Sequence, residues 1–249
     1  MQRSSALLAL LLVIATGVQA ADAPATPPVK PVKPWTGSIG AGLAITSGNT
    51  DTQNYNLAAA VKYDPKTRFL FKADALYLRG ESGGVKQADK ATLDARGEYT
   101  LSERTFTFGE LTYLRDPFKD ITYFIAPLAG AGYRLIRTDV RNLTVDGAVG
   151  GEAEGNGRAG HSTGGAVKAG ENFDWALTSS SKITQKLSGI WKTSNFSDAL
   201  YHFDAGLTTT VAKRAELKLS YLYDYKSRPT SASVKKGDSA LFAALLFKF

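Results

Sequence analysis

The stretch LKLSYLYDY (residues 217–225) decides the fold. Leu217, Leu219, Tyr221, Tyr223 and Tyr225 recur at every second position, with Lys218, Ser220, Leu222 and Asp224 between them. A helix would space its apolar residues three and four apart. A period of two describes a strand with two unlike faces. The pattern extends upstream. Tyr201, Phe203, Ala205, Leu207 and Val211 alternate with His202, Asp204, Thr208 and Thr210, and Ala91, Leu93, Ala95 and Tyr99 with Lys90, Thr92, Asp94, Arg96 and Glu98.

The same reading predicts about twelve strands, near 35–47, 52–63, 68–79, 88–99, 105–115, 121–135, 142–153, 166–177, 182–193, 199–211, 216–225 and 239–249. Each matches or slightly exceeds the length of about 9–11 residues that crosses a bilayer at a tilt, and an even number suits a single-chain bacterial barrel. Glu171 and Gln185 interrupt the apolar faces of the eighth and ninth strands.

Periodicity alone does not say which face points inward, because a soluble lipocalin-like barrel also alternates. Three features favour an apolar face turned to lipid. The opposite face carries charges of both signs on nearly every strand. Aromatics gather at strand ends, with Tyr63, Phe69, Tyr99 and Tyr133 by the short connections and Tyr77, Tyr113, Tyr123 and Tyr225 by the long ones, as interfacial girdles do. The third is the ending LFAALLFKF (241–249), where Leu241, Ala243, Leu245, Phe247 and Phe249 share one face. An aromatic last residue suits a strand that closes a barrel, and Leu245, Phe247 and Phe249 are read as its assembly signal. The expected fold is an all-β, antiparallel, up-and-down transmembrane barrel of about 12 strands over 35–249. The alternation of short turns with longer glycine-rich links at 80–87, 154–165 and 226–237 places both termini on the periplasmic side.

The first 20 residues, MQRSSALLALLLVIATGVQA, combine Arg3, an apolar run too short to span a bilayer and the small-residue ending Val18-Gln19-Ala20. They read as a signal peptide, and the proline-rich segment 21–34 as a periplasmic linker. Destination and pattern together point to the bacterial outer membrane. The expected partners are its lipid, the barrel-assembly machinery, periplasmic chaperones and small solutes or ions. Net charge is +7, but acids and bases intermingle, which argues against nucleic acid. The absence of cysteine excludes disulfides, thiolate metal sites and thiol nucleophiles.

No catalytic motif emerges, and no cofactor or metal site is expected. His161 lies in a glycine-rich segment and reads as solvated. His202, two residues from Asp204, could orient a general base, but falls on the inward face. Glycines at 130–132 and 150–157 lack the helix and Lys-Ser/Thr pair of a phosphate loop, and SGNTD (47–51) lacks calcium-loop spacing. The inward face is the informative one: Lys62, Lys72, Asp74, Lys90, Asp94, Arg96, Glu98, Glu110, Arg134, Asp146, Lys168, Asp174, His202, Asp204, Lys218 and Asp224 are the expected lumen lining. Barrels of about 8 strands are filled and those of 16–18 hold a channel, so 12 lies between. A narrow, weakly selective pore or envelope-stress barrel, a structural or surface-interaction barrel, and an outer-membrane hydrolase follow in that order. Residues 154–165 are the candidate gate.

Three stretches taken together, WTGSIGAGLAITSGNTDTQNYNLAAAVKYD (35–64), RDPFKDITYFIAPLAGAGYRL (115–135) and VKKGDSALFAALLFKF (234–249), resemble the YdiY-like family of salt-induced outer-membrane proteins, also classed as domain-of-unknown-function family 481. The resemblance covers essentially all of 35–249. It implies a small monomeric outer-membrane barrel of Gram-negative bacteria, with no established reaction and no catalytic motif to carry over. Intact-mass analysis of the exported protein should find a chain beginning at Ala21; retention of residues 1–20 would overturn the signal-peptide assignment.

Overall fold

The computed structural model describes residues 33–47, 52–82 and 85–249; the signal-peptide and most of the linker assignments, and most of the SGNTD turn, lie outside them. Twelve strands follow one another: β1 (Trp35–Ser47), β2 (Thr52–Tyr63), β3 (Phe69–Ser82), β4 (Val85–Thr100), β5 (Thr105–Asp116), β6 (Ile121–Arg137), β7 (Arg141–Asn156), β8 (Gly160–Ala176), β9 (Ser181–Lys192), β10 (Asn195–Ala212), β11 (Ala215–Lys226) and β12 (Gly237–Lys248). Each pairs antiparallel with its sequence neighbours, and β12 returns to β1, giving a closed up-and-down barrel. The seam runs in register from Ser38 opposite Lys248 to Ser47 opposite Ser239. Beyond it Phe249 N–H donates to the Gly37 carbonyl at 3.0 Å, and Gly37 N–H to the Phe249 carbonyl at 3.3 Å. The end holding Trp35 and Phe249 is called the near end below, and the other the far end.

The period of two becomes two walls. Ile39, Leu43, Tyr55, Leu57, Leu217, Leu219, Tyr221, Leu245 and Phe247 are exposed on the outside, whereas the intervening Ala44, Asn56, Ser220, Leu222, Ala244 and Leu246 are buried inside. Trp35 packs on Tyr63 with centroids 4.6 Å apart and Tyr63 on Phe69 at 6.4 Å, forming part of the near-end aromatic belt. Glu171 and Gln185 do lie on the outer wall, where Gln185 Nε2 donates to Glu171 Oε1 at 3.3 Å. That bond satisfies part of what a polar pair needs where lipid offers no partner.

Glycines shape the cross-section. A Cβ at Gly42 of β1 would lie 1.9 Å from the Ala243 carbonyl oxygen, and one at Gly130 of β6 only 2.1 Å from that of Gly147. Only glycine permits such close backbone approach on a concave face, and both sites mark sharp corners. The corners, at β12–β1 and at β6–β7, are on opposite sides of the barrel. A circular barrel of this strand number would hold β4 and β9 more than about 20 Å apart. Yet Lys186 on β9 reaches Asp94 on β4 at 3.0 Å, and two extended side chains bridge only about 13 Å of backbone separation. The barrel is therefore flattened, with its short axis between β4 and β9.

The expected link at 154–165 is corrected by the pairing. β7 continues to Asn156 and β8 starts at Gly160, with Gly155 opposite His161 and Asn156 opposite Gly160. Only 157–159 turn, helped by the left-handed Gly160 at φ 79°. Glycine is poor in strands, which favours a loop on sequence grounds; here Gly155 makes room for the Tyr123 ring, whose edge lies 2.5 Å from where a Cβ would be. His161, expected to be solvated, is exposed, and its ring also stacks on that of Tyr123 at 5.8 Å and bonds its hydroxyl through Nδ1 at 3.0 Å. The candidate gate is thus a hairpin arm. Residues 193–194 also form a tight far-end turn, so the contrast between long and short links is weaker than expected.

The closing strand carries a testable demand. Deleting Phe249 removes two backbone bonds, worth roughly 1–3 kcal/mol together, and Gly37→Leu displaces the ring that lies over Gly37. Both variants should lose heat-modifiable mobility on gels at lower temperature than the parent chain. Unchanged mobility profiles would show that the seam does not depend on its last residue.

Candidate functional site: the barrel interior

The inward face collects the charged residues that the period singled out, and most are bound to one another. Around Arg96 the guanidinium contacts Glu98 at 3.1 Å, Glu110 at 3.0 Å and Asp146 at 3.0 Å, and lies 3.5 Å over the Phe108 ring. Lys168 also pairs with Glu110, and Lys72 with Glu98 at 3.2 Å. On the opposite side of the lumen Lys218 approaches Asp204 at 4.0 Å. His202 Nδ1 bonds Asp224 Oδ1 at 2.7 Å, so its partner is the residue across the strand pair rather than Asp204. Lys90 of β4 joins the same Asp224 from the facing wall. Arg134 donates to Thr100 Oγ1 at 3.1 Å and lies 4.7 Å over Phe106. Near the termini, Lys62 pairs with Asp64 at 3.1 Å. Lys66 and then Lys62 hold that turn carboxylate down to about 2. Asp174 is exposed on the inward face at the near end.

Cross-lumen pairs define the geometry. Lys186–Asp94 and Lys90–Asp224 span the short axis, and Lys226 of β11 meets Glu154 of β7, which also takes Lys192 at 2.7 Å. At the far mouth the RDPF segment turns inward as a 3-10 turn over Pro117–Lys119. It carries Lys119, 2 % exposed, to the opposite wall, where Nζ donates to the Asp224 carbonyl at 2.7 Å and pairs with Asp238 at 3.3 Å. Thr230 of the 227–236 link donates to Asp120 at 2.5 Å, fastening that link to the same segment. Beneath this bolt lies a cavity of about 260 Å³. Asp74, Asp94, Lys186, His202, Asp204 and Lys218 line it together with Leu76, Phe124, Leu222, Phe242 and Leu246. Removing charges from water is costly unless they are paired, and most of these charges are; of the lining carboxylates, Asp74 and the buried Asp116 form no ion pair among the described residues.

Charge alone did not reveal everything on this face. Lys186 was missed because Gln185 blurred the ninth strand, and Lys119 because it is not on a strand at all. Phe106, Phe108, Phe124, Leu128 and Ile190 form a buried apolar cluster inside the barrel, and Leu78, Leu222, Phe242 and Leu246 a second. Their even-numbered positions are the available signal; a search for charge leaves them out.

Two solved structures share this architecture. A NanC porin aligns with TM-score 0.57 at 9% identity, covering 85% of this chain and 100% of its own. An outer-membrane channel of Pseudomonas putida F1 aligns with TM-score 0.51 at 10% identity, covering 89% of this chain and 97% of its own. These likenesses establish the fold, a closed porin-type β-barrel. By sequence, the uncharacterized protein YdiY of Escherichia coli K12 is 20% identical over 212 residues, which are 85% of this chain and 82% of YdiY. The model of the protein family of unknown function DUF481 matches residues 39–249, so this chain belongs to that family.

Proposed function

We propose that the protein is a narrow passage for small solutes or ions in the outer membrane, oriented with its near end toward the periplasm, and not an enzyme. The observation that carries this reading is the cavity of about 260 Å³ held open inside the barrel between the Lys119 bolt and the Arg96 web. A purely structural barrel has no need of an internal chamber that holds charged side chains; a passage needs one, with constrictions that set its width. Because Lys90, Asp94, Lys186 and Asp224 neutralise one another across the short axis, the mid-lumen field is small and discrimination there is by size. Lys62, Lys72, Asp74, Glu98, Glu110, Arg134, Asp146, Lys168, Asp174, Asp204 and Lys218 would complete the lining. Leu245, Phe247 and Phe249 would act earlier, as the signal read by the assembly machinery.

A second reading has its own support. Phe106, Phe108 and Phe124 fill part of the lumen, and Lys119 is fastened to the Asp224 carbonyl of β11 and the Lys236 carbonyl of the link after it, as suits a closed structural barrel.

Planar-bilayer recording on the refolded mature chain separates the two. The passage reading expects small unit currents in the parent chain and larger ones in Lys119→Ala, which releases the far-mouth bolt. Arg96→Ala should widen the passage and shift reversal potentials toward cation preference. A silent parent chain with two equally silent variants would leave the structural barrel as the function.

A further inference from the structure

We propose that the near mouth is a vestibule that binds small multivalent anions, seated on guanidinium groups that the fold leaves without a carboxylate. The proposal deepens the passage reading and rests on it for the solute's route, but the binding site itself can be tested without any current.

The argument starts from the backbone. At the near end each far-end hairpin prolongs its ladder by one bond. Thr100 N–H donates to the Arg68 carbonyl, Arg134 N–H to that of Arg104 and Lys248 N–H to that of Arg214, each at 2.8 Å. Asp64, Ala176 and Thr210 do the same to Pro34, Val140 and Ser180 at 2.7–2.8 Å. Since pairing continues, so does the alternation of faces. Arg68, Arg104 and Arg214 therefore take the inward phase, at three of six equivalent rim positions, and all three are exposed. Their phase turns them toward the opening rather than the bilayer.

Three acids on the inward phase of this mouth, Asp64, Glu98 and Glu216, are already engaged, while Glu103 and Asp139 sit on its turns. Lys62 holds Asp64 at 3.1 Å, Lys72 holds Glu98 at 3.2 Å and Lys248 holds Glu216 at 2.9 Å. What remains on the inward phase is Arg68, Arg104, Arg134, Arg137, Lys182 and Arg214 against Asp174, and among the described residues none of these six cations forms an ion pair. Arg134 adds an independent sign. Its Nη2 is bonded to Thr100, yet its Nη1 is buried with no acceptor. Arg134 is only partly buried, so a rotation of its guanidinium presents that N–H to an oxyanion at the mouth through a charge-assisted bond, and the planar guanidinium suits carboxylate, sulfonate or phosphate. The rim arginines, carried on separate hairpins, favour an anion with more than one charge, and an uncompensated cleft concentrates such ions.

The test uses pyranine, a trisulfonated pyrene dye, titrated by fluorescence anisotropy into the refolded mature chain in zwitterionic lipid nanodiscs. Saturable binding that weakens with added salt is expected. Arg134→Gln should weaken it roughly ten-fold or more, as loss of a hydrogen bond to a charged group implies. The triple variant Arg68→Gln/Arg104→Gln/Arg214→Gln breaks no ion pair and should weaken binding while keeping heat-modifiable mobility, so the test survives if Arg134→Gln fails to fold. Arg158→Gln/Arg228→Gln at the far end should leave it unchanged. Absence of saturable binding, or binding indifferent to the near-mouth variants, overturns the proposal. Displacement of the dye by phosphatidylglycerol added to the discs also overturns it, by making the rim a headgroup site. A chain that binds pyranine yet passes no current would contradict the passage reading alone.

Discussion

A strand in hydrocarbon has nowhere to place its backbone N–H and C=O groups except on a neighbouring strand, so the β1–β12 ladder is the constraint on which the rest depends. Its register, carried from Ser38–Lys248 to Ser47–Ser239 and extended by Phe249 to Gly37, turns a meander into a tube without edges. Closure also fixes the inside. Once the seam sets which residues of β1 and β12 face inward, alternation fixes the inward set of every strand between them.

Closure alone would leave a wide round lumen. The inward glycines convert it into a flattened one by allowing sharp corners at β12–β1 and β6–β7, and flattening brings β4 within lysine reach of β9 and β11. The internal ion pairs are then consequences of shape as much as of sequence. Once formed, they hold the shape, because breaking one leaves a charge with little water around it. The same economy explains where charge is left over. Acids are consumed in the mid-lumen web and at the first tier of the near mouth, so the surplus positive charge of the chain appears on turns such as those carrying Arg68, Arg104 and Arg214.

Much of this was legible in the residues themselves. The period of two in β11 and the greasy ending at Phe249 were enough for strand number, closure and the two walls, because both depend on local alternation. What escaped depends on tertiary context. The paired arm at 154–165 reads as a loop since its glycines have no intrinsic strand preference, and it takes the Tyr123 ring at Gly155, the left-handed turn at Gly160 and the Thr193 side chain at Gly165 to explain them. Phe106 and Phe108 escaped because a phenylalanine in a membrane barrel is expected outside; their use as a floor for the Arg96 guanidinium requires the fold. His202 was matched with Asp204 two residues along its own strand, whereas registry across β10–β11 gives it Asp224. Lys119 required knowing that a surface link folds inward.

The central claim is that the odd-numbered wall meets lipid and the even-numbered wall encloses the charges. The chain has no cysteine, so single cysteines placed in turn at 217, 218, 219, 220 and 221 can each carry one bimane label on a clean background. Quenching of that label by brominated lipid chains in reconstituted vesicles should be strong at Leu217, Leu219 and Tyr221 and weak at Lys218 and Ser220. Equal quenching along the strand, or strong quenching at the even positions, would contradict the account.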